Sequence, residues 1–279
     1  MAAAAAATTS NFDPQLIISH KFPEKTFTYT ERDVALYALG VGACLKDALD
    51  DKELKYVYHP DHAHQQSIQV LPTFAALFCH GIQNVASISG LHDKGKATVL
   101  EIEILSYERE SGELICMNRM AVFLRGLGGF SNSAQPYSYS KHPVNQTSST
   151  RLPKSPPFAV FEECTQPSQA LLYRLSGDYN PLHSDPRIAE IAGFSRPILH
   201  GLCTLGFAVR AVIKCICGGD QNRIKSISAR FLLHVYPGET LITEMWLDGQ
   251  RVLYQVKVKE RSRAVLSGFV DLNLLNSSL

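Results

Sequence analysis

The 279-residue chain has no run near the ~18 apolar residues that a membrane-spanning helix needs. It has no charge of one sign to spare. Its 27 basic and 26 acidic side chains leave a net charge of +1, which excludes the electrostatic footprint of a nucleic-acid binder. It has no CxxC pair, P-loop, dinucleotide-binding glycine fingerprint or G-x-S-x-G elbow. Metal-thiolate, redox-dithiol, nucleotide-binding and serine-hydrolase classes therefore lose their usual signals. The seven cysteines sit in apolar runs such as Ala43-Cys44-Leu45 and Cys215-Ile216-Cys217, as buried thiols of a reducing compartment would. What is present is apolar: 45 % of residues are hydrophobic and 19 % charged, enough to build a sizeable core.

Residues 1–10, MAAAAAATTS, lack the basic and Leu-rich regions of a secretory signal and are expected to form a disordered tail. The last three residues, Ser277-Ser278-Leu279, approach the S-K-L peroxisomal address but carry Ser in the central position, within a tail spanning 274–279. Residues 126–157 are rich in Gly, Ser, Pro and Asn and read as a linker. They divide the chain into parts at 11–125 and 158–273, each the size of a small α+β domain.

In the second part, 169–175 reads as a short helix, and Asp185-Pro186 opens another that Gly193 stops. A longer helix begins near Gly201. Leu202, Leu205, Val209, Val212 and Ile216 give it one apolar face, and Gly218-Gly219 ends it. Period-two patterns then mark strands at 241–247 and 252–258 around an Asp248-Gly249 turn, with a last strand at 264–272. One long helix followed by an antiparallel meander predicts a sheet wrapped around that helix. In the first part, Thr30 caps a helix running to Leu45. Residues 98–105 and 114–124 pair around Ser111-Gly112, with Leu100, Ile102 and Ile104 opposite Glu101 and Glu103. Val70-Leu71-Pro72-Thr73 faintly echoes the stretch at 197–201, which suggests duplication.

Asp178, Asn180 and His183 lie within one short turn stiffened by Pro181. A carboxylate charged at neutral pH and an imidazole that titrates near it can share a water or a substrate proton, with Asn180 orienting either partner. The plain alternative is a capped polar turn in which Asp and Asn satisfy backbone N–H groups. His200-Gly201 adds a helix N-terminus, whose unpaired N–H groups can donate to an oxygen gaining negative charge. Acid/base groups beside such a donor suit chemistry next to a carbonyl. His59, His62 and His64 lack a metal-ligand partner set, and a solvated loop is the expected reading, with no metal.

Tyr173-Arg174-Leu175-Ser176-Gly177-Asp178-Tyr179-Asn180-Pro181-Leu182-His183, with Ala192-Gly193-Phe194 and residues 196–203, RPILHGLC, resembles the hydratase 2 motif of the MaoC-like, (R)-specific enoyl-CoA hydratases. Tyr29-Thr30-Glu31, residues 36–43 and Val70-Leu71-Pro72-Thr73-Phe74 resemble the first half of the same proteins, so the likeness spans nearly the whole chain. It implies an α+β double hot-dog fold, usually dimeric, with one active site in the second hot dog and the acyl chain housed by the first. It implies Asp178 and His183 as the catalytic pair, Asn180 beside them and the Gly201 amide on the thioester oxygen. It also implies Phe231 and Lys94 as acyl-CoA contacts. The reaction implied is reversible syn addition of water to a trans-2-enoyl-CoA, giving the (3R)-3-hydroxyacyl-CoA without a cofactor, in peroxisomal fatty-acid β-oxidation.

One departure stands out. The family carries roughly 25 to 40 residues after the Leu-Pro-Thr-Phe stretch, including an L-H-G-x-Q segment that touches CoA. Here 78–83, FCHGIQ, runs almost directly into 87–94, and His80, Gly81 and Gln83 are read as a remnant. The first hot dog is therefore expected to be degenerate and shortened, with an unpaired sheet edge and exposed apolar surface. Two other readings stay open: a hot-dog acyl-CoA thioesterase that directs water to the thioester carbon, and a non-catalytic acyl-CoA-binding protein crippled by the deletion.

Overall fold

The structure, a computed structural model, describes residues 12–58, 67–77, 82–132, 134–142 and 151–273. The chain forms two compact units, one of 1–28 with 78–147 and the other of 29–77 with 148–279. Residues 29–77, which the sequence groups with the first half, thus cluster with the second.

The first unit holds helix α1 (Pro14–Ile18) and strands β1 (Lys25–Phe27), β2 (Ile82–Asp93), β3 (Ala97–Glu108), β4 (Leu114–Arg125) and β5 (Ser138–Ser140). They form one antiparallel sheet ordered β1-β2-β3-β4, with β5 also on β2. β4 is an edge, and Leu114, Ile115, Met117, Met120, Val122 and Phe123 along it are exposed. Among the described residues this unit has no helix longer than α1. The exposed apolar edge expected from a shortened half is therefore present.

Glu103 does not look into open water. It is buried, with carboxylate contacts to Arg119 at 2.8 Å, Lys141 at 2.8 Å and His142 at 2.7 Å. Burial pushes its carboxyl up, but the three donors together outweigh that and bring it down to about 2.

The second unit contains α2 (Glu31–Gly40), α3 (Asp51–Leu54), β6 (Ala159–Cys164), α4 (Gln169–Tyr173), α5 (Pro186–Ile191) and α6 (Gly201–Cys215). Strands β7 (Ile224–Phe231), β8 (Thr240–Asp248), β9 (Arg251–Val258) and β10 (Arg263–Leu272) complete it. Its sheet runs β6-β8-β9-β10-β7, all antiparallel, and α6 packs against every strand. The expected wrapped helix is there, but it is buried from Cys203 to Ile213 without a break rather than along one face.

Other boundaries move for local reasons. α2 stops at Gly40, not Leu45. Gly42 there has φ +87°, and an added Cβ would lie 2.6 Å from the Phe207 ring. Asp248 pairs with Arg251, so the β8–β9 loop is Gly249-Gln250, one residue later than expected, with Gly249 at φ +59°. Of the six described cysteines, all free thiols, only Cys203 and Cys217 are buried, while Cys164 and Cys215 are exposed.

Arg210 is the one basic side chain buried within α6. It donates to Glu53 at 2.8 and 3.0 Å, to Glu163 at 2.9 Å and to the Val41 carbonyl at 2.8 Å. Replacing it by Leu strands the buried Glu163 and leaves Glu53 with only the Cys44 N–H and Lys214, and urea unfolding should show a loss of about 3–5 kcal/mol. A loss under about 1 kcal/mol would mean that the network contributes little.

Gly268 of β10 sits beneath Tyr254, whose hydroxyl donates to the Ser228 carbonyl at 2.9 Å. A Cβ there would lie 1.9 Å from that carbonyl and 2.6 Å from the hydroxyl. Gly268→Ala should therefore lower stability by about 1–3 kcal/mol in the same assay. A neutral result would show that the β7–β10 pairing yields without cost.

Candidate active site

The turn that follows α4 is assembled by side chains closing on nearby backbone. Gly177, at φ +120°, reverses the chain after a 3-10 turn at Arg174–Ser176. Asp178 Oδ1 then accepts the Asn180 N–H at 3.2 Å, and Asn180 Oδ1 accepts the Leu182 N–H at 3.0 Å. Pro181 opens the 3-10 turn Pro181–His183. The capped polar turn is therefore real, and it leaves the Oδ2 of Asp178 and the amide nitrogen of Asn180 for other partners. Asp178 and Asn180 are exposed, whereas His183 is buried.

His183 Nδ1 lies 2.8 Å from the Ile198 carbonyl, which can only accept. Nδ1 therefore carries a proton, and in the neutral imidazole the lone pair a general base needs falls on Nε2. His200, the N-cap of α6 and 1 % exposed, stacks on His183 with ring centroids 3.7 Å apart and planes 26° apart. Its Nε2 is 3.1 Å from the Asp178 carbonyl and 4.0 Å from Asp178 Oδ2. Behind it run Tyr173, Tyr37 and Phe74, at centroid separations of 4.8, 6.0 and 5.2 Å in turn. The Leu-Pro-Thr-Phe stretch thus reaches the site through its phenylalanine.

Asp178, His183 and His200 each offer a ligand atom within 4.8 Å of the others. Each imidazole has one nitrogen committed to a carbonyl, and near-parallel stacked rings point their remaining lone pairs along parallel planes. The arrangement suits a shared water better than a shared ion.

Gly201 begins α6, where the first amides have no intrahelical acceptor. A Cβ on Gly201 would lie 3.0 Å from the half-exposed Phe231 ring, so the structure brings those two residues together. Asp178, Asn180, His183, Gly201 and Phe231 all belong to the second unit. Lys94 belongs to the first, exposed in the turn between β2 and β3. His80 and Gly81 lie outside the described residues, as do Ser277, Ser278 and Leu279. His200 and Tyr173 were missed as site residues by the sequence reading. The available signal was an imidazole immediately before the helix N-terminus, within reach of a turn already rich in polar groups.

The comparisons with known proteins identify the family. The MaoC like domain family matches residues 145–268, and the MFE-2 hydratase 2 N-terminal domain family matches 27–87 and 79–126. "Enoyl-CoA hydratase 2, peroxisomal" of Arabidopsis thaliana is 56 % identical, over 98 % of this chain and 100 % of its own length. "Peroxisomal multifunctional enzyme type 2" of Mus musculus is 37 % identical, over 96 % of this chain and 40 % of its own. The solved MaoC-like dehydratase of Phytophthora capsici superposes with a TM-score of 0.81 at 28 % identity, covering 95 % of this chain and 100 % of that one. These likenesses give a double hot-dog fold. The chain belongs to the MaoC-like hydratase 2 family. The alignment to the Arabidopsis protein spans 310 positions against 279 residues here, so at least 31 positions have no residue in this chain. The broken N-terminal match puts that loss near 79–87.

Burial, and after it the charge of a protonated His183, bring the His200 imidazole down to about 4 from 6.5. The unfolded chain takes up this proton below pH 6.5 and the folded chain only near 4. Stability from this group is thus complete above 6.5 and is lost as the pH falls toward 4. Urea unfolding from pH 7 to 4.5 should show a smaller decline in His200→Gln than in the wild type. Equal slopes would mean that His200 titrates normally.

Proposed function

We propose that the chain is an (R)-specific 2-enoyl-CoA hydratase of peroxisomal fatty-acid β-oxidation, a hydro-lyase that needs no cofactor and works as a homodimer on acyl-CoA. The observation that carries the reading is His183, held through Nδ1–H by the Ile198 carbonyl so that its Nε2 is left over, with a ring nitrogen within 4.8 Å of the Asp178 carboxylate on the turn that His200, the N-cap of α6, stacks against. In this reading Asp178 Oδ2 and His183 Nε2 hold one water against C3 of the enoyl group, with the Asn180 amide as a further donor.

As the water oxygen bonds to C3, His183 takes the water proton. The C2–C3 π electrons move toward the thioester, whose oxygen accepts from the Gly201 N–H at the positive end of α6. The imidazolium returns the proton to C2 as the enolate collapses. Water and proton thus come from one cluster on one face, which gives syn addition; the R outcome rests on the family. Phe231, packed on Gly201, and Lys94 are read as acyl-CoA contacts, and His80 and Gly81 as a remnant of a CoA-touching segment. Peroxisomal residence is supported by the names of the relatives and by the Ser277-Ser278-Leu279 terminus, read by the peroxisomal import receptor.

Asp178→Ala and His183→Ala should each lower hydration of crotonyl-CoA and decenoyl-CoA by about 10²–10⁴-fold while circular dichroism stays unchanged. Activity within twofold of the parent in either variant would sink the assignment. Chiral analysis of the product from trans-2-decenoyl-CoA should give the (3R) alcohol, and a mainly (3S) product would overturn the pocket. Release of free CoA, followed with a thiol reagent, would favour the thioesterase reading. Tight acyl-CoA binding without turnover would favour the binding protein.

A fluorescent protein carrying the last ten residues should collect in peroxisomes and stay cytosolic without Ser277-Ser278-Leu279. An unchanged distribution would remove the targeting argument.

A further inference from the structure

Residues 184–197 separate His183 from the segment that leads into α6, so local chain geometry does not set the distance from Asp178 to Gly201. Two hydrogen bonds do, and they cross. His183, on the turn, donates Nδ1–H to Ile198, on the segment before the helix. His200, on that segment, donates Nε2–H back to the Asp178 carbonyl on the turn. Each imidazole is tied to the stretch that carries the other, and the two rings stack between those bonds.

We propose that His200 is a positioning residue of this site: as a neutral Nε2–H imidazole it clasps the Asp178 main chain, stacks on His183, and so keeps both in register with the Gly201 amide. The inference rests on the hydratase reading of the site. His200 is too buried to meet substrate and acts through its neighbours. At 4.0 Å from Asp178 Oδ2 it leaves that oxygen uncommitted. Asp178, His183, Tyr173 and Arg174 are the titratable or charged groups around it. Tyr173 brings a ring whose hydroxyl is buried without a protein partner, as is His200 Nδ1. Asp178 and Arg174 oppose one another in sign, so the surroundings do not force a proton onto His200.

Two substitutions separate clasping from packing. His200→Leu removes the donor and the aromatic face at similar volume; His200→Gln restores an N–H near the Nε2 position. The leucine variant should lose about tenfold to hundredfold in kcat on crotonyl-CoA with KM within about threefold, and glutamine should recover most of that loss. A residue that only fills space would be indifferent to the donor. Leucine within twofold of the wild type, or glutamine no better than leucine, overturns the proposal.

If the leucine variant does not fold, glutamine carries the test alone. A kcat within about threefold of the wild type supports the clasp, and a drop beyond about tenfold overturns it. Imidazole ¹⁵N spectra of the full chain at pH 7 give a readout independent of turnover. They should show His183 protonated on Nδ1 and a neutral His200 protonated on Nε2, and any other state of His200 overturns the inference. A wild type that hydrates nothing would sink the functional reading, while the spectra would still judge the clasp.

Discussion

A buried guanidinium is the constraint on which the second unit depends. Arg210 sits in the most deeply buried stretch of α6, and it can stay there only because Glu53 of α3 and Glu163 of β6 neutralise it while the Val41 carbonyl takes another of its N–H groups. Those partners come from three separate places in the chain, so satisfying one side chain fixes α6 against a helix, a strand and the end of α2. Gly206, four residues before Arg210, fits the same design. A Cβ there would lie 2.3 Å from Val41, so the bare backbone lets the helix press onto residue 41. With the middle of the helix held in this way, its first amide at Gly201 has a fixed address.

The catalytic turn meets that address with groups that do two jobs. A carboxylate has two oxygens, and Asp178 spends one on the Asn180 N–H and keeps the other. Asn180 uses its oxygen to cap Pro181–His183 and keeps its amide nitrogen. His183 gives one nitrogen to Ile198 and keeps the other. The capped-turn and catalytic readings of the sequence are therefore not rivals: the contacts that shape the turn also decide which atom of each side chain is left for chemistry.

Much of the second unit was legible because its signals are local. Asp185-Pro186 and Gly193 bracket α5, alternation marks β8 and β9, and the motif places Asp178 and His183 in one turn. What escaped is long-range. Arg210 and Glu53 are far apart in sequence, and nothing in either's neighbourhood announces the other. Glu103 alternates with apolar neighbours as a solvent-facing residue would, yet Arg119 of β4 and Lys141 and His142 of the stretch after β5 fold over it. His200 stands inside the 196–203 stretch of the motif, but its stacking on His183 exists only once 184–197 have looped back. α2 shows the same limit, since its early end is set by the Phe207 ring packed on Gly42.

The exposed β4 edge turns a matter of architecture into one of encounter frequency. A strand paired on one side only among the described residues, with six large apolar side chains exposed, offers the same template on every copy. Loss of soluble chain through that edge is second order in concentration, whereas thermal unfolding of the second unit is first order. Dilution should therefore preserve the protein and concentration should spend it, at a temperature where the site itself is intact; light scattering at two concentrations reads the difference directly, and rates independent of concentration would acquit the edge.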